Sequence, residues 1–204
     1  MCDCSVFVGR EALDFTAPAV LGNGEISENF QFRSYVEGSY ALLFFYPLDF
    51  TFVCPSELIA LDKRYSEFVD RSIKIIAVSV DSQFCHLAWR NTPIESGGVG
   101  RLKFPMVADV NHSIAMDYGV EHPSQYVALR GAFLLDRKFI VRSQIVNDMP
   151  LGRDIDEILR VFDAWSFHEQ HGEVCPANWR EGRPGMRPSK EGVATFLKEN
   201  FENL

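Results

Sequence analysis

The sequence lacks the features that mark membrane, secreted and nucleic-acid-binding proteins. No stretch approaches the roughly 18 apolar residues of a membrane span, and the first residues contain no basic segment followed by a long apolar run. The 20 Lys and Arg are scattered among 28 Asp and Glu, giving a formal net charge of −8. Because nucleic-acid backbones require clustered positive charge, neither nucleic acid nor a membrane is an expected partner. We expect a cytoplasmic location.

Cysteine is scarce and histidine is dispersed. The five cysteines are Cys2, Cys4, Cys54, Cys85 and Cys175. They are too few and too dispersed for a secreted disulfide scaffold, and in a reducing compartment isolated cysteines indicate chemistry or plain burial. The five histidines are His86, His112, His122, His168 and His171. They lie in different segments without the spacing of metal ligands, so we expect no metal and interpret them as structural or surface residues.

The chain does have the pattern of an α/β domain. With 204 residues, of which 47% are hydrophobic, it is long enough to bury a core. Residues 40–46 and 73–80 are short apolar runs, typical of central strands buried on both faces. Between them, residues 55–69 carry apolar side chains at spacings of three or four, and Pro55 suits a first helical turn. A strand–helix–strand unit of this length normally has parallel strands.

Further elements follow in the second half of the chain. We predict a helix over residues 83–91, a strand over 105–108, a hairpin formed by 132–135 and 139–145, and helices over 153–168 and 189–201. The hairpin would add an antiparallel edge to the sheet. The linker-like residues 181–185 separate a tail rather than two domains. We therefore predict one domain, residues 1–168, followed by a C-terminal arm, residues 169–204.

Cys54 has the position of an activated nucleophile. It lies just after the first predicted strand and just before the helix opened by Pro55, where unpaired backbone N–H groups and the helix dipole favour negative charge. A thiolate attacks electrophiles such as peroxide oxygen or disulfide sulfur. A cysteine beside an apolar strand can equally be a small buried hydrophobe, so position alone leaves both interpretations open.

The residues around Cys54 resemble the peroxidatic loop of the typical 2-Cys peroxiredoxins. Residues 45–57 read FYPLDFTFVCPSE and contain the pattern Pro-x-x-x-Thr-x-x-Cys. Similar segments follow, in order, at residues 86–89, 97–100, 104–109, 129–133 and 171–176. The resemblance covers most of the chain. It implies a thioredoxin-like fold, with a central mixed β-sheet flanked by helices and a C-terminal arm, and a peroxidase that needs no metal or organic cofactor.

The resemblance also implies a role for each residue of this loop and its partners. Cys54 attacks the terminal oxygen of hydrogen peroxide or an organic hydroperoxide, becomes a sulfenic acid and releases water or an alcohol. Thr51 hydrogen-bonds peroxide and thiolate, and Pro47 shields the pocket from water. Arg130 holds the thiolate and stabilises charge developing in the O–O bond. Glu57 orients that arginine, although its position also fits a plain partner of the helix dipole.

Cys175 is the resolving cysteine that the resemblance implies. A sulfenic acid must be trapped by a second thiol before more peroxide oxidises it to sulfinic acid. Nothing in the spacing pairs Cys54 with Cys175, which could also be structural. In the family, the resolving cysteine comes from the arm of the partner subunit. The resemblance therefore implies a homodimer with an intersubunit disulfide, commonly five dimers in a decamer, local unfolding in each cycle, and reduction by thioredoxin or a dedicated flavoprotein.

The other cysteines carry weaker expectations. Cys2 and Cys4 lie at the terminus, where we expect them to be dispensable. Cys85 precedes a segment that lies near the contact between dimers in related chains, so it either sits at that contact or is simply buried.

The tail departs from the pattern of many eukaryotic members. Those members combine a Gly-Gly-Leu-Gly loop with a Tyr-Phe pair in the last helix, which makes the enzyme easily overoxidised. Here residues 97–100 read Gly-Gly-Val-Gly, and the tail has Phe196-Leu197 without a Tyr-Phe pair. Phe196-Leu197 could cover the site instead. The tail is more similar to bacterial alkyl hydroperoxide reductase C-type proteins.

Two other functions compete with the peroxidase interpretation. A thioredoxin-like disulfide oxidoreductase normally carries Cys-x-x-Cys at the helix start, whereas residues 54–57 read Cys-Pro-Ser-Glu. A protein-holding chaperone leaves no motif that the sequence could reveal.

Overall fold

The computed structural model describes residues 6–203. It divides into two compact units, Met1–Arg153 and Asp154–Leu204. The division precedes the long helix of the second half, whereas the predicted domain boundary at residue 168 falls near its end, and that boundary stays a prediction. Within the described residues, none of the helices combines the length and the apolar character that crossing a bilayer requires.

The first unit is built on a seven-stranded sheet with strand order β2-β1-β5-β4-β3-β6-β7. The strands are β1 Thr16–Val20, β2 Ile26–Gln31, β3 Tyr40–Phe45, β4 Ile73–Ser79, β5 Met106–Ala108, β6 Arg130–Leu135 and β7 Val141–Asn147. β3, β4 and β5 pair in parallel, and the remaining pairs are antiparallel. Every residue of β3 and of β6 is buried, which explains why the central strand was visible as an apolar run. The predicted mixed α/β fold is confirmed.

The described residues form seven α-helices. They are α1 Phe32–Val36, α2 Cys54–Lys63, α3 Tyr65–Asp70, α4 Gln83–Asn91, α5 Ser113–Asp117, α6 Ile155–His171 and α7 Lys190–Asn200. The single helix predicted over residues 55–69 is wrong in one respect, because Arg64 (φ −101°, ψ 11°) separates α2 from α3. The Arg64 guanidinium binds Glu67 in the first turn of α3. Apolar side chains that recur every three or four residues do not reveal that the helix is interrupted at a single residue.

The sequence pattern missed the N-terminal hairpin of β1 and β2. β1 contains Pro18, which cannot donate a hydrogen bond to a neighbouring strand, and its register with β2 shifts between Ala17 and Ala19. A strand with a proline and a bulge does not show a clean period of two. The turn residues Gly22-Asn23-Gly24, with Gly24 at φ +90°, were the signal that could have revealed the hairpin.

Strand register determines which residues meet at the end of β3. β3 and β6 are antiparallel neighbours, with Leu42 opposite Leu134 and Phe44 opposite Ala132. The first residue of β6, Arg130, therefore lies beside the point where the chain leaves β3. Residues 46–53 lead from the same point into α2. Segments that are distant in sequence therefore meet where β3 ends and β6 begins.

The second unit is a long helix followed by a loop and α7. Asp154 caps α6 by accepting hydrogen bonds from the backbone of Asp156 and Glu157. After α6, Val174 and Met186 exchange backbone hydrogen bonds of 2.9 Å in each direction. α7 begins after Ser189, whose side chain accepts from Gly192 N at 3.0 Å, and Phe196 is its buried residue. Both predicted helices, 153–168 and 189–201, are confirmed.

Residues 97–100 pack closely against the C-terminal end of α4. Trp89, which is fully buried, donates its indole N–H to the carbonyl of Gly97 at 2.8 Å. A Cβ built on Gly98 would overlap the backbone carbonyl of Thr92, whereas a Cβ on Gly97 would meet nothing within 4 Å. Gly97 instead has φ +86°, a conformation that side chains other than glycine's disfavour. The two glycines are therefore required for different reasons.

These reasons predict different costs for two alanine substitutions. Gly98→Ala should lower the free energy of unfolding by about 2 kcal/mol or more, because backbone must move to admit the Cβ. Gly97→Ala should cost about 1 kcal/mol from backbone strain alone. Urea denaturation of both variants at one protein concentration measures the difference. Equal costs would contradict the crowding at Gly98.

Candidate active site

Cys54 is the first residue of α2 and its side chain is fully buried. Val53 at the N-cap provides no side-chain hydrogen bond to the first turn, and Pro55 has no N–H to satisfy. The sulfur therefore sits at the positive end of the helix dipole, away from bulk solvent. The position predicted for Cys54 at a helix start is confirmed, and its surroundings decide what the thiol can do.

Arg130 points its guanidinium at this sulfur. Its Nη1 lies 3.4 Å from the Sγ of Cys54 and 2.7 Å from Oε2 of Glu57, and all three residues are buried. Its Nε donates to the carbonyl of Met149 at 2.6 Å, which fixes the plane of the group. The structure thus brings together Cys54, Glu57 and Arg130, three of the residues singled out in the sequence.

A second arginine, Arg153, binds the same carboxylate from the other side. Its backbone N and its Nε donate to Oε1 of Glu57 at 2.8 and 2.9 Å, and its Nη2 donates to Oε2 at 3.1 Å. Its Nη1 donates to the carbonyl of Gly131 at 2.6 Å, and the group stacks on the ring of Phe44 at 3.3 Å. Burial lowers the pKa of Arg153 to about 10, and the bonds to Glu57 oppose that shift. Arg153 therefore remains a cation at neutral pH.

The charges of this cluster balance only when the sulfur is ionised. Arg130 and Arg153 contribute two positive charges and Glu57 one negative charge, so the buried group carries a net positive charge while Cys54 is a thiol. A net charge is costly to bury. A Cys54 thiolate makes the cluster neutral and accepts a charge-assisted hydrogen bond from Arg130. The arrangement is suited to holding a nucleophilic sulfur.

Thr51 and Pro47 lie in the loop between β3 and α2. Pro47 is buried and Thr51 is half-buried. The Thr51 hydroxyl donates to the carbonyl of Leu48 at 2.8 Å, which leaves its oxygen lone pairs to accept a hydrogen bond. In this geometry the Thr51 oxygen can accept a hydrogen bond, for example from a peroxide O–H, whereas its own proton is already donated to the Leu48 carbonyl.

A second buried network anchors the start of this loop. Asp49 accepts from the Tyr46 hydroxyl at 2.7 Å, and its other oxygen lies 2.8 Å from Nδ1 of His86. Nε2 of His86 lies 3.2 Å from the carbonyl of Val107, and the Asp49 backbone N–H donates to Asp81 at 2.8 Å. These contacts tie the loop to α4, to β5 and to the end of β4. The interpretation of His86 as a structural residue agrees with them.

Cys85 lies beside this network and is half-buried. Its Sγ is 3.6 Å from Oδ1 of Asp81, and burial together with the charges of Asp49 and Asp81 raises the pKa of the thiol to about 12. The possible ligand atoms of these three residues lie within 4.8 Å of one another. Each of the two carboxylates already accepts hydrogen bonds from neighbours, so we describe the group as a hydrogen-bond network. The position of Cys85 relative to another subunit stays a prediction.

Cys175 lies in the second unit, in the loop after α6. It is half-buried, and its Sγ donates to the backbone carbonyl of Ala164 at 3.3 Å. Burial raises the pKa of this thiol, and the charge of Arg160 opposes the shift. Its predicted pairing with Cys54 stays a prediction. Cys2 and Cys4, which we expect to be dispensable, lie outside the described residues.

Arg153 is the site residue that sequence reasoning missed. It was visible there only as the beginning of a helical segment, and it lies 96 positions from the carboxylate it binds. No motif in one sequence connects residues that far apart. The buried contacts of Asp49, Asp81 and His86 were missed for the same reason, since each polar residue looks like a surface residue when taken singly.

The comparisons with known proteins agree with this geometry. The model of the AhpC/TSA family matches residues 8–144, and that of the C-terminal domain of 1-Cys peroxiredoxin matches residues 164–199. The chain is 52% identical over 199 residues to alkyl hydroperoxide reductase C of Helicobacter pylori, covering 98% of this chain and 100% of that protein. It is 46% identical over 190 residues to thioredoxin peroxidase of Echinococcus granulosus, covering 93% and 97%.

A solved structure is similar over nearly the whole chain. It is the reduced 2-Cys peroxiredoxin of Plasmodium vivax, with a TM-score of 0.91, 46% sequence identity, and coverage of 95% of this chain and 99% of that one. The crystal structure of Enterococcus faecalis AhpC is 32% identical, with a TM-score of 0.76 and coverage of 83% and 99%.

The shared carboxylate predicts a large stability effect at Glu57. Glu57→Gln should lower the free energy of unfolding by about 3 to 5 kcal/mol, because it leaves two buried guanidinium groups without their counter-ion. Glu67→Gln is the matched control, since Glu67 binds Arg64 at the protein surface at 2.8 Å and an exposed pair is worth less than about 1 kcal/mol. Urea denaturation at pH 7 compares them, and equal costs would contradict the importance of the buried cluster.

The surroundings of Cys85 predict an unreactive thiol. With a pKa of about 12, its thiolate fraction at pH 8 is on the order of 10⁻⁴, and the thiolate is the form that alkylates. Iodoacetamide should therefore label Cys85 much more slowly in the native protein than in urea, as followed by mass spectrometry. Asp81→Asn should speed the reaction, because it removes a like charge. Native labelling as fast as in urea would contradict this prediction.

Proposed function

Because the chain belongs to the AhpC/TSA family and is a peroxiredoxin, a thiol-dependent peroxidase, we propose that Cys54 is the sulfur that attacks the hydroperoxide. The observation that carries the proposal is the buried contact of 3.4 Å between Nη1 of Arg130 and Sγ of Cys54. A merely structural buried cysteine has no need of a cation that is itself held by a carboxylate. The family's established reaction, peroxide reduction, needs such a cation.

The first step transfers one oxygen to sulfur. The Cys54 thiolate attacks the terminal peroxide oxygen, an S–O bond forms, the O–O bond breaks, and the departing oxygen takes a proton to leave as water or an alcohol. Negative charge moves from sulfur to the departing oxygen during this step. Arg130 lies next to the sulfur and is fixed by Glu57 and by Met149, so it can stabilise that charge without reorganising.

The loop residues complete the proposed peroxide site. Thr51 would accept a hydrogen bond from the peroxide O–H, since its own proton is engaged by the carbonyl of Leu48 at 2.8 Å. Pro47, which is buried, would exclude water from the same side. Arg153 acts through Glu57, because its N–H groups bind both oxygens of that carboxylate and so orient Arg130. Arg153 is therefore a positioning residue in this proposal.

The second step would form the disulfide. We assign Cys175 as the resolving cysteine, donated by a partner subunit in a homodimer that assembles further into a decamer. Peroxiredoxins form oligomers, and the match to structures of 2-Cys peroxiredoxins supports this assignment. Because Cys54 begins fully buried at a helix start, its segment would have to unfold locally before the two sulfurs can reach bonding distance.

The remaining proposals concern the reductant and the compartment. We assign thioredoxin as the reductant of the disulfide, with a dedicated flavoprotein as the alternative, and the relative described as a thioredoxin peroxidase supports the first. A cycle that depends on thiol reductants requires a reducing compartment, so we assign the protein to the cytoplasm, in antioxidant defence.

One experiment tests nucleophile and resolver together. Reduced protein is treated with hydrogen peroxide, separated on non-reducing gels and mapped by mass spectrometry, in the parent chain and in Cys54→Ser, Cys175→Ser and, as a matched control, Cys85→Ser. We expect a disulfide-linked dimer joining Cys54 to Cys175 in the parent and in Cys85→Ser, and none in the other two. Cys175→Ser should accumulate oxidised Cys54.

The possible failures differ in meaning. A Cys54 that stays reduced in the presence of peroxide would overturn the assignment of the nucleophile. A Cys54 that is oxidised without a Cys54–Cys175 disulfide would overturn only the assignment of the resolver.

A further inference from the structure

The loop that carries Cys175 is attached to α6 at several points. The carbonyl of Glu173 lies 2.8 Å from Nδ1 of His168, and the thiol of Cys175 donates to the carbonyl of Ala164 at 3.3 Å. Further along, the ring of Trp179 packs on Phe167 with centroids 4.9 Å apart. Cys175 is therefore held at rest as a protonated thiol, because a carbonyl oxygen accepts its proton and would repel a thiolate.

Arg160 is a charged residue of α6 that reaches this loop. It lies four residues before Ala164 and so on the same helix face, one turn away. Its Nη1 donates to the carbonyl of Trp179 at 2.9 Å. Its Nε and Nη2 bind the two oxygens of Glu157 at 2.6 and 2.7 Å, which fixes the plane of the guanidinium. The cation is thereby held between the Glu157 carboxylate on α6 and the backbone of the loop four residues after Cys175.

We propose that Arg160 is a positioning residue for the resolving step: its guanidinium stabilises the Cys175 thiolate as the thiol is released from the carbonyl of Ala164. This inference rests on the proposed role of Cys175. It extends that role by giving the second cysteine its own activating cation, as Arg130 serves the first. The residues that Arg160 binds, Glu157 and Trp179, belong to the same unit of the chain as Cys175.

The chemistry of resolution explains why a cation is needed there. The Cys175 thiolate attacks the sulfur of the Cys54 sulfenic acid, an S–S bond forms, and the S–O bond breaks. The departing hydroxide takes up a proton and leaves as water, so that the Cys54 sulfur is reduced and the Cys175 sulfur is oxidised. The thiol itself is a poor nucleophile, and the fraction present as thiolate limits the rate.

The electrostatics around Cys175 agree with this role. Burial raises the pKa of the Cys175 thiol, and the charge of Arg160 opposes that shift without cancelling it. Glu157 faces Arg160 and partly neutralises it, and Glu173 lies two residues before Cys175 in the loop. Removing the charge of Arg160 should therefore raise the pKa of Cys175 further. Removing the charge of Glu157 should lower it, because Arg160 is then no longer partly neutralised.

Alkylation of Cys175 tests the proposal without requiring peroxidase activity. In a Cys54→Ser background, iodoacetamide labelling of the Cys175 peptide is measured by mass spectrometry from pH 6 to 10 in the full-length protein. Arg160→Gln should label about two- to fivefold more slowly at pH 7, with the midpoint of the rate profile moved to higher pH. Glu157→Gln should label faster, and Arg160→Lys should retain most of the parent rate because it keeps the charge.

Two controls separate electrostatics from structure. Arg64→Gln breaks another arginine–glutamate pair three residues apart, at the start of α3, and it should leave the labelling of Cys175 unchanged. If Arg160 merely holds the loop, Arg160→Gln would expose Cys175 and label it faster, with Arg160→Lys behaving in the same way. That result would overturn the proposal, as would an unchanged profile in Arg160→Gln.

A second readout connects the effect to the reaction. With Cys54 restored, Arg160→Gln treated with hydrogen peroxide should form less Cys54–Cys175 disulfide and more Cys54 sulfinic acid than the parent. Normal alkylation of Cys175 combined with no disulfide in any variant would instead contradict the proposed pairing of the two cysteines. The two failures are therefore distinguishable.

Discussion

The buried carboxylate of Glu57 accepts hydrogen bonds from Arg130 on one side and Arg153 on the other, and the reactive end of the molecule is organised around it. Glu57 enters with the first turn of α2, Arg130 with the first residue of β6, and Arg153 after β7. Each arginine is further fixed by a backbone carbonyl, at 2.6 Å in both cases. Two buried cations and one anion leave a net positive charge, which a thiolate at Cys54 would neutralise.

The three cysteines of the described residues show how strongly surroundings decide the chemistry of one side chain. Cys54 faces Arg130, whose guanidinium lies 3.4 Å from the sulfur and can donate to a thiolate. Cys85 faces two carboxylates, which with burial raise its pKa to about 12. Cys175 donates to a backbone carbonyl, with Arg160 as the charge that opposes the effect of burial. These differences suit the proposed cycle, in which Cys54 reacts first, Cys175 reacts second and Cys85 takes no part.

The loop between β3 and α2 joins the two buried networks. Its start is fixed through Asp49, which is bound by Tyr46 and His86, and its end is fixed through Cys54 and Glu57. Phe50, between these anchors, has φ +52° and is half exposed. A strained residue between two anchors requires that the distant contacts of Asp49 and Glu57 stabilise the segment.

Sequence alone determined the elements whose signals are local. The apolar runs of β3 and β4, the helical spacing in α2, α4 and α6, and the position of Cys54 before Pro55 depend on neighbours within a few residues, so they could be read directly. The loop motif identified the family, and with it Thr51, Arg130 and Glu57. The hairpin with Pro18 and the break at Arg64 were missed because their patterns are interrupted.

Only the tertiary structure decided which polar residues share a buried site. Arg153 meets Glu57 across 96 positions and His86 meets Asp49 across 37. Such contacts depend on strand register, which brings distant residues together, and on burial, which replaces water by specific protein partners. The spacing of residues within one segment encodes neither. For the same reason Arg160 looks in the sequence like one more surface charge of an amphipathic helix, and only the folded loop brings its charge to bear on Cys175.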